Sequence, residues 1–498
     1  MTIAGRPAAP APAAAAPPDP APPGGPVAVP PPPGAVAGTP ALRRLTRVRT
    51  VPGWIRLLSG LSVATVLLAF GAVTLAVGHA RDGLRVIGHT AGPQVVATAD
   101  LYFALSDMDA QVAAVLLMGK ETGLQAGRQA MLDRYDERRS QADRAVLQAA
   151  DLASEDATEQ NTVRSLLDGL GRYERLAARA LLLDEQSGHA AGPPPQAVLD
   201  VYRQATDLMR LDLLPKAYNL TLDSGTIVRH AYLAELSAVQ TGRLWVGLTG
   251  LLALLALIGL QVYLSRGFRR TLNLPLLLAS VVVGALTVAG VLVLQHEGNA
   301  LTSAKEDGFN SVLALSRARA IGNTLRGDEI RYLLDPERAD TYEQVYLDKS
   351  QSVLYVPGGN LDKYYTALDA AVSAYPGKVT FLGFYGTEAS AGGVSGQQPA
   401  VARVLRLYQA FQRNDQQIRR LATGGSRREA VGKVMGPSFG SYDDALVRLT
   451  TLHRTAFDDA VAGGDRALGG WNVLPPAAAL AAILLVLIGV RPRLAEYR

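Results

Sequence analysis

Chemistry in this sequence has to be sought among its arginines, because the residue types that usually carry catalysis are missing or scattered. There is no cysteine, hence no thiol nucleophile and no disulfide, and neither a GxxxxGK[ST] loop nor an HExxH helix occurs. The six histidines, His79, His89, His189, His230, His296 and His453, share no metal-ligand spacing. The expectation is a protein without catalytic residues, cofactor or metal. Arginine offers another chemistry, a permanently charged fork of donors that fits carboxylates. Arg266, Arg269 and Arg270 stand together without an acid in "YLSRGFRRTLN", and could meet acidic groups of a partner. Arg134 and Arg164 lie in stretches of helical pattern, where a guanidinium facing inward would anchor a carboxylate ligand. Phe381, Phe384 and Tyr385 fall in "YPGKVTFLGFYGTEASAGGVSGQQP", residues 375–399. This segment is aromatic and then glycine-rich, and reads as either a flexible tip loop or a small hairpin that touches a partner.

Four apolar runs must position these groups. The chain has 498 residues, 48% of them hydrophobic, and a mean hydropathy of +0.13. Leu57–Val77, Leu244–Leu264, Leu274–Leu294 and Val473–Val490 hold no charged residue, and each approaches the ~20 residues needed to cross a bilayer core of about 30 Å. The first begins too far along the chain, and runs too long, to be a signal peptide. Basic residues flank the runs on one side: Arg43, Arg44, Arg47, Arg49 and Arg56 before the first, the arginine loop between the second and third, and Arg491, Arg493 and Arg498 after the fourth. By the bias of basic flanks towards the cytoplasm, the sequence predicts a multi-pass cell-membrane protein with both termini inside. The same flanks account for the net charge of +5 and remove it as a sign of nucleic-acid binding; they can also meet anionic lipid. Residues 80–242 carry 16 Lys and Arg against 22 Asp and Glu, and 296–472 carry 20 of each.

The expected organisation is a disordered Pro/Ala-rich tail (1–41), a basic juxtamembrane segment (42–56), spans at 57–77, 244–264, 274–294 and 473–490, an inner loop at 265–273 and an inner tail at 491–498. Outside the membrane lie segments 78–243 and 295–472. Apolar residues recur at helical spacing in the first, at Leu101, Leu105, Met108, Val112, Val115 and Met118. Gly188 and Pro193–Pro195 interrupt the pattern, and Pro215 predicts a kink. The second segment repeats the order of the first: "FALS" with "LALS", "RYDERR" with "TYEQVY", "GLGRYERL" with "VLRLYQAF". Asp335 and Pro336 read as the cap and first turn of a helix. The predicted fold class is an all-α membrane protein: four transmembrane helices carrying two extracytoplasmic helical bundles related by internal duplication.

An outer helical bundle between two spans resembles the four-helix ligand-binding module of bacterial chemoreceptors, although "SRGFRRTLN" returns to the membrane where those receptors continue into a signalling coiled coil. As a whole, residues 42–498 resemble an actinobacterial family of four-span proteins encoded beside a glutamine/glutamate-binding lipoprotein and protein kinase G. That resemblance implies a transmembrane signal relay. It would sense amino-acid availability through an extracytoplasmic solute-binding lipoprotein and report to a cytoplasmic kinase or other regulator. The loop 378–396 and the helix tips at 188–195 would be its contact zones. A direct small-molecule receptor and a structural membrane scaffold are the alternative readings. The lipid bilayer and a second copy in a homodimer complete the expected partners.

Overall fold

The computed structural model describes residues 51–86, 88, 92–152, 157–268 and 273–495. The expected Pro/Ala-rich tail, Arg269, Arg270 and the last three residues lie outside this set. Fifteen α-helices follow one another among the described residues. No strand forms there, and the only bridge, antiparallel, joins Tyr355 to Leu382.

In the first half, α1 (Val51–Arg85) is followed by α2 (Gly92–Met118), α3 (Gln125–Leu152), α4 (Ala157–Ser187), α5 (Gln196–Leu208) and α6 (Leu214–Phe268). Gly188 and the three prolines separate α4 from α5. Pro215 does not break the next helix. It lacks an N–H and crowds the carbonyl four residues back, and the turn Met209–Leu213 widens to π geometry in answer.

In the second half, α7 (Leu274–Ser303) and α8 (Asn310–Leu334) join through a π turn at Ala304–Phe309. Together they make one helix of 61 residues, about 90 Å long at 1.5 Å per residue. There follow α9 (Ala339–Val353), α10 (Leu361–Ala374), α11 (Gly383–Ser390), α12 (Gln397–Thr423), α13 (Arg427–Val434), α14 (Ser438–Ala467) and α15 (Leu474–Ala495). Local chemistry sets several ends. The Asn360 side chain caps α10 by accepting from the Lys363 N–H at 3.0 Å. Gly425, at φ +85°, closes α12, with the Ser426 N–H donating to the Leu421 carbonyl at 2.9 Å. Asp335 does not act as the expected cap. Its side chain makes no bond to the turn that follows and is taken by Arg203.

The described residues from Ile55 onward form one compact unit. Five of its helical stretches are long and apolar enough to cross a membrane: 52–85, 98–118, 228–266, 274–334 and 474–492. They are not alike. The most apolar window of 98–118, within α2, is 94% buried in protein, whereas the other four are 22–39% buried. Their unburied surface is leucine, isoleucine and valine, among them Leu68, Leu75, Leu251, Ile258, Val288 and Leu487. Inside this set, α1, α6, α7 and α15 meet through Val66, Ala253, Leu257, Val283, Ala482 and Val486. Small residues let them approach: a Cβ on Gly250 of α6 would stand 2.8 Å from the Cβ of Thr287 on α7.

Beyond the apolar helices two cores form. One lies wholly in the second half, around Tyr346, Tyr364, Tyr408, Phe411 and Tyr442. The other mixes the halves: Leu105, Met108, Tyr173 and Tyr202 share it with Ile330, Leu334, Ile418 and Val431. The segments expected as two bundles therefore have one hydrophobic core in common.

The α6–α7 contact makes a prediction. Gly250→Ala should unfold at lower temperature than Gly247→Ala, which has open space at the same depth of the same helix, by about 1–3 kcal/mol of overpacking. Thermal unfolding of the full chain in nanodiscs checks this, and equal midpoints would mean that α6 and α7 do not pack so closely.

Candidate functional site

The halves meet along α2 and α8, which run parallel. Phe103 faces Arg319, Ser106 bonds Asn323 and Asp109 pairs with Arg331, so residue numbers rise together on both helices. The seam is polar although buried. Asp109, with no exposed surface, accepts from the Tyr173 hydroxyl at 3.2 Å, from the Thr206 hydroxyl at 2.7 Å and from the Arg331 guanidinium. Arg331 also donates to the Tyr202 hydroxyl at 3.1 Å and to Asp328 at 2.6 Å, and Lys349 donates to the other oxygen of Asp328 at 2.6 Å. Five helices, α2, α4, α5, α8 and α9, are tied by this one network. Around it, Arg203 grips Asp335 at 2.8 and 2.5 Å, Arg338 holds both oxygens of Asp207 at 3.0 Å, and Arg428 pairs with Glu121. Every one of these outer pairs crosses between the halves.

At the end of the seam nearest the apolar helices, a cleft lies beside the parallel pair. It has two lobes of about 160 and 350 Å³ that share Asp100, Phe103 and Arg319. The smaller is closed by Thr450, Thr451 and Arg454 of α14; the larger by Arg138, Gln141, Arg144 and Gln148 of α3. Phe103 is flanked by two guanidiniums, Arg319 at 4.0 Å and Arg138 at 5.1 Å from its ring centre. Both of those arginines are committed: Arg319 to Asp443 at 2.7 and 2.9 Å, Arg138 to Asp107 at 2.6 Å. Arg144, Arg454 and Asp100 form no ion pair within hydrogen-bonding distance among the described residues, and all three are exposed at the mouth. The cleft thus holds two cations, Arg144 and Arg454, and one carboxyl, Asp100, that lack a hydrogen-bonded charge partner; desolvation pushes the Asp100 pKa above the usual carboxylate range against the pull of Arg319, Arg454 and Arg138. That set matches a small molecule bearing a carboxylate and an amine.

Comparison with protein families supplies the class of this half. Residues 83–233 match the family of actinobacterial sensor domains. No curated protein and no solved structure matches the chain. The matched segment comprises α2 to α5 with the adjoining ends of α1 and α6, and so contributes one whole side of the seam and of the cleft. The described residues are thus all-helical, with several apolar helices of membrane-crossing length and a segment similar to actinobacterial sensor domains.

Arginines picked from sequence fall elsewhere. Arg134 and Arg164 are exposed, because α3 and α4 turn their neighbours Tyr135 and Val163 inward; neither faces the bundle interior, and Arg164 reaches only Asn161, at 3.4 Å. Arg266 is exposed at the end of α6. The 375–399 segment is neither a bare loop nor a hairpin. It contains α11, and Phe381 and Tyr385 are core residues, Tyr385 bonding the Tyr442 hydroxyl at 2.5 Å, while Phe384 is half-buried against the same core. Nor does it form the far tip, since Glu388 meets His453 and Gly393 packs on Asp307, well short of the turns at 118–125 and 423–437. The spacing GPSFG (Gly436–Gly440) matches GxSxG, but Ser438 opens α14 after another helix, whereas a nucleophile elbow follows a strand.

The residues that matter were signalled by charge where none is expected. Asp107 and Asp109 interrupt the apolar run of α2, and α8 buries the whole stretch Gly322–Arg331 with four charges in it. Asp109→Ala should strip the Arg331 charge of a partner and destabilise the chain by about 3–5 kcal/mol. Thr206→Val should cost less, about 1.5–3 kcal/mol, the worth of one hydrogen bond to a charged group. Denaturant unfolding in nanodiscs measures both, and a neutral Asp109→Ala would mean the seam is not held by this pair.

Proposed function

We propose that the chain is a non-enzymatic transmembrane sensor that takes a small solute with both carboxylate and amine, such as an amino acid, in the cleft between the halves. The observation that carries this reading is the cleft's composition: Asp100 to meet an ammonium, and Arg144 and Arg454, neither in a hydrogen-bonded ion pair among the described residues, to meet a carboxylate. In this reading four helices, α1, α6, α7 and α15, cross the membrane. The near-complete burial of α2 within protein argues for its place in the outer bundle, despite its apolar composition. The basic flanks support a cytoplasmic location for both termini and the arginine loop. The repeated order of motifs and the parallel packing of α2 on α8 support a duplication in which the two halves act as a built-in pair. A solute bridging α2, α3, α8 and α14 would alter how the helices stand against one another and so shift the apolar legs. The chain offers no enzymatic motif inside, so a separate cytoplasmic regulator, for instance a protein kinase, would read Arg266, Arg269 and Arg270.

A second reading keeps the solute on a separate extracytoplasmic binding protein. It is favoured by an exposed apolar cluster on the second half, Tyr355, Val379 and Leu382, next to the α11 segment.

Calorimetry on the full chain in nanodiscs, with the proteinogenic amino acids as probes, separates the two. The cleft reading expects saturable binding of at least one, weakened about tenfold or more by Arg454→Ala or Asp100→Asn, since each removes a charged partner. Absence of any binding, with capture of an exported solute-binding protein that Leu382→Asp abolishes, would establish the second reading instead.

A further inference from the structure

The 375–399 segment, α14 and the π turn between α7 and α8 converge on one histidine. His453 is 1% exposed. Its Nδ1 lies 2.6 Å from the carbonyl oxygen of Asp307 and its Nε2 lies 2.5 Å from Oε1 of Glu388. Both neighbours are acceptors, and a neutral imidazole has one N–H. At these distances the unprotonated nitrogen would press its lone pair against an oxygen, so two protons are needed on the ring or one on the carboxyl. Gln397 favours the first arrangement. Its amide donates to the same Oε1 of Glu388 at 2.7 Å, and to the Glu388 carbonyl at 3.1 Å. A carboxylate oxygen receives two donors more readily than a carboxyl hydroxyl does, so a charged ring fits this pair better than a protonated Glu388.

What this cation joins is specific. Asp307 sits in the π turn Ala304–Phe309, where Gly308 lets the backbone of α14 approach: a Cβ there would stand 2.6 Å from the Cβ of Phe457. Glu388 ends α11 and Gln397 begins α12, so the loop between them is tied down at both ends. Arg454, the next residue, closes the smaller lobe of the cleft. The charged and titratable groups around the ring are few. Glu388 faces it from α11 and Asp307 from the π turn; Tyr375, at the start of the segment, has its hydroxyl pKa raised by burial and by the field of Glu388; on α14 itself Arg454 turns to the cleft, and Asp458 and Asp459 are exposed.

We propose that His453 is a proton-operated pin: charged, it clamps the 388–397 segment and α14 onto the π turn that leads to α7, and loss of its proton releases them. Burial opposes the charge, but the contact with Glu388 and the Asp307 carbonyl outweigh it and raise the imidazole pKa above its ordinary value. A pKa raised by folding gives stability that is complete below the unfolded value of about 6.5 and is lost as pH rises through the folded value. The clamp thus opens on the alkaline side. It stands whichever solute or partner the sensor takes, because no part of it lines the cleft except through Arg454.

Hydrogen exchange of the full chain in nanodiscs, corrected at each pH for intrinsic exchange, tests this with residues 410–423 of α12 as internal reference. In the unaltered protein, protection of 388–397 relative to the reference should fall about tenfold or more between pH 6 and pH 9, as a charge-assisted contact is lost. His453→Gln should show low protection at both pH values. Glu388→Gln should move the fall to lower pH, and it decides the matter should His453→Gln fail to fold. A pH-independent segment in the unaltered protein, or a fall that stays in place in Glu388→Gln, would overturn the proposal.

Discussion

The pairing of Asp109 with Arg331 is the constraint on which the rest of the structure depends. Two charges without access to water are stable only while each satisfies the other and the spare hydrogen-bonding capacity is filled. Tyr173, Thr206, Tyr202, Asp328 and Lys349 fill it here. A hydrophobic seam between α2 and α8 would tolerate sliding by a turn. This one resists it, because a shift of one turn would part Asp109 from Arg331 and leave Asp109 buried without a cation. Register between the halves is therefore fixed by charge, while cohesion comes from the shared apolar core.

A fixed register gives the cleft its meaning. Where the polar network ends, the space beside α2 and α8 is lined from both halves and from α14, which leads within a few residues to α15. The helix through α7 and α8 is continuous from the apolar region to the seam. A movement at the cleft has few joints in which to dissipate. The π turns at Met209–Leu213 and Ala304–Phe309 are the irregular places in the two long helices, and each lies between the apolar helices and the far end of the bundle.

Much of this was legible in the sequence, and the part that was not has a physical cause. Length and apolarity marked four of the five helices that could cross a membrane; the fifth, 98–118, meets the same measure yet is buried in protein, so these properties alone do not separate a span from a core helix. Helical spacing and proline positions likewise marked most of α2 to α6. The seam was not legible. Asp109 and Arg331 are separated by more than two hundred residues, and nothing local tells a charge paired in a core from one on a solvated face. Arg134 and Arg164 were attractive for their type alone, yet they lie on the outer sides of helices whose other faces hold Tyr135 and Val163. Phe381 and Tyr385 misled in the opposite sense. A glycine-rich surrounding reads as surface loop, but large aromatic side chains gain most by burial, and here the glycines allow the chain to fold back over them: a Cβ on Gly386 would stand 2.5 Å from the Phe381 carbonyl oxygen.

The central claim is that a solute in the cleft moves the apolar legs through the locked seam. The absence of cysteine permits a direct measurement, with nitroxide labels on Arg56→Cys of α1 and Ser265→Cys of α6 in nanodiscs and pulsed electron spin resonance as the ruler. With an amino acid that calorimetry has shown to bind, the distance distribution should shift, and the shift should vanish with Arg454→Ala. A bound solute that leaves the distribution unchanged would contradict the account.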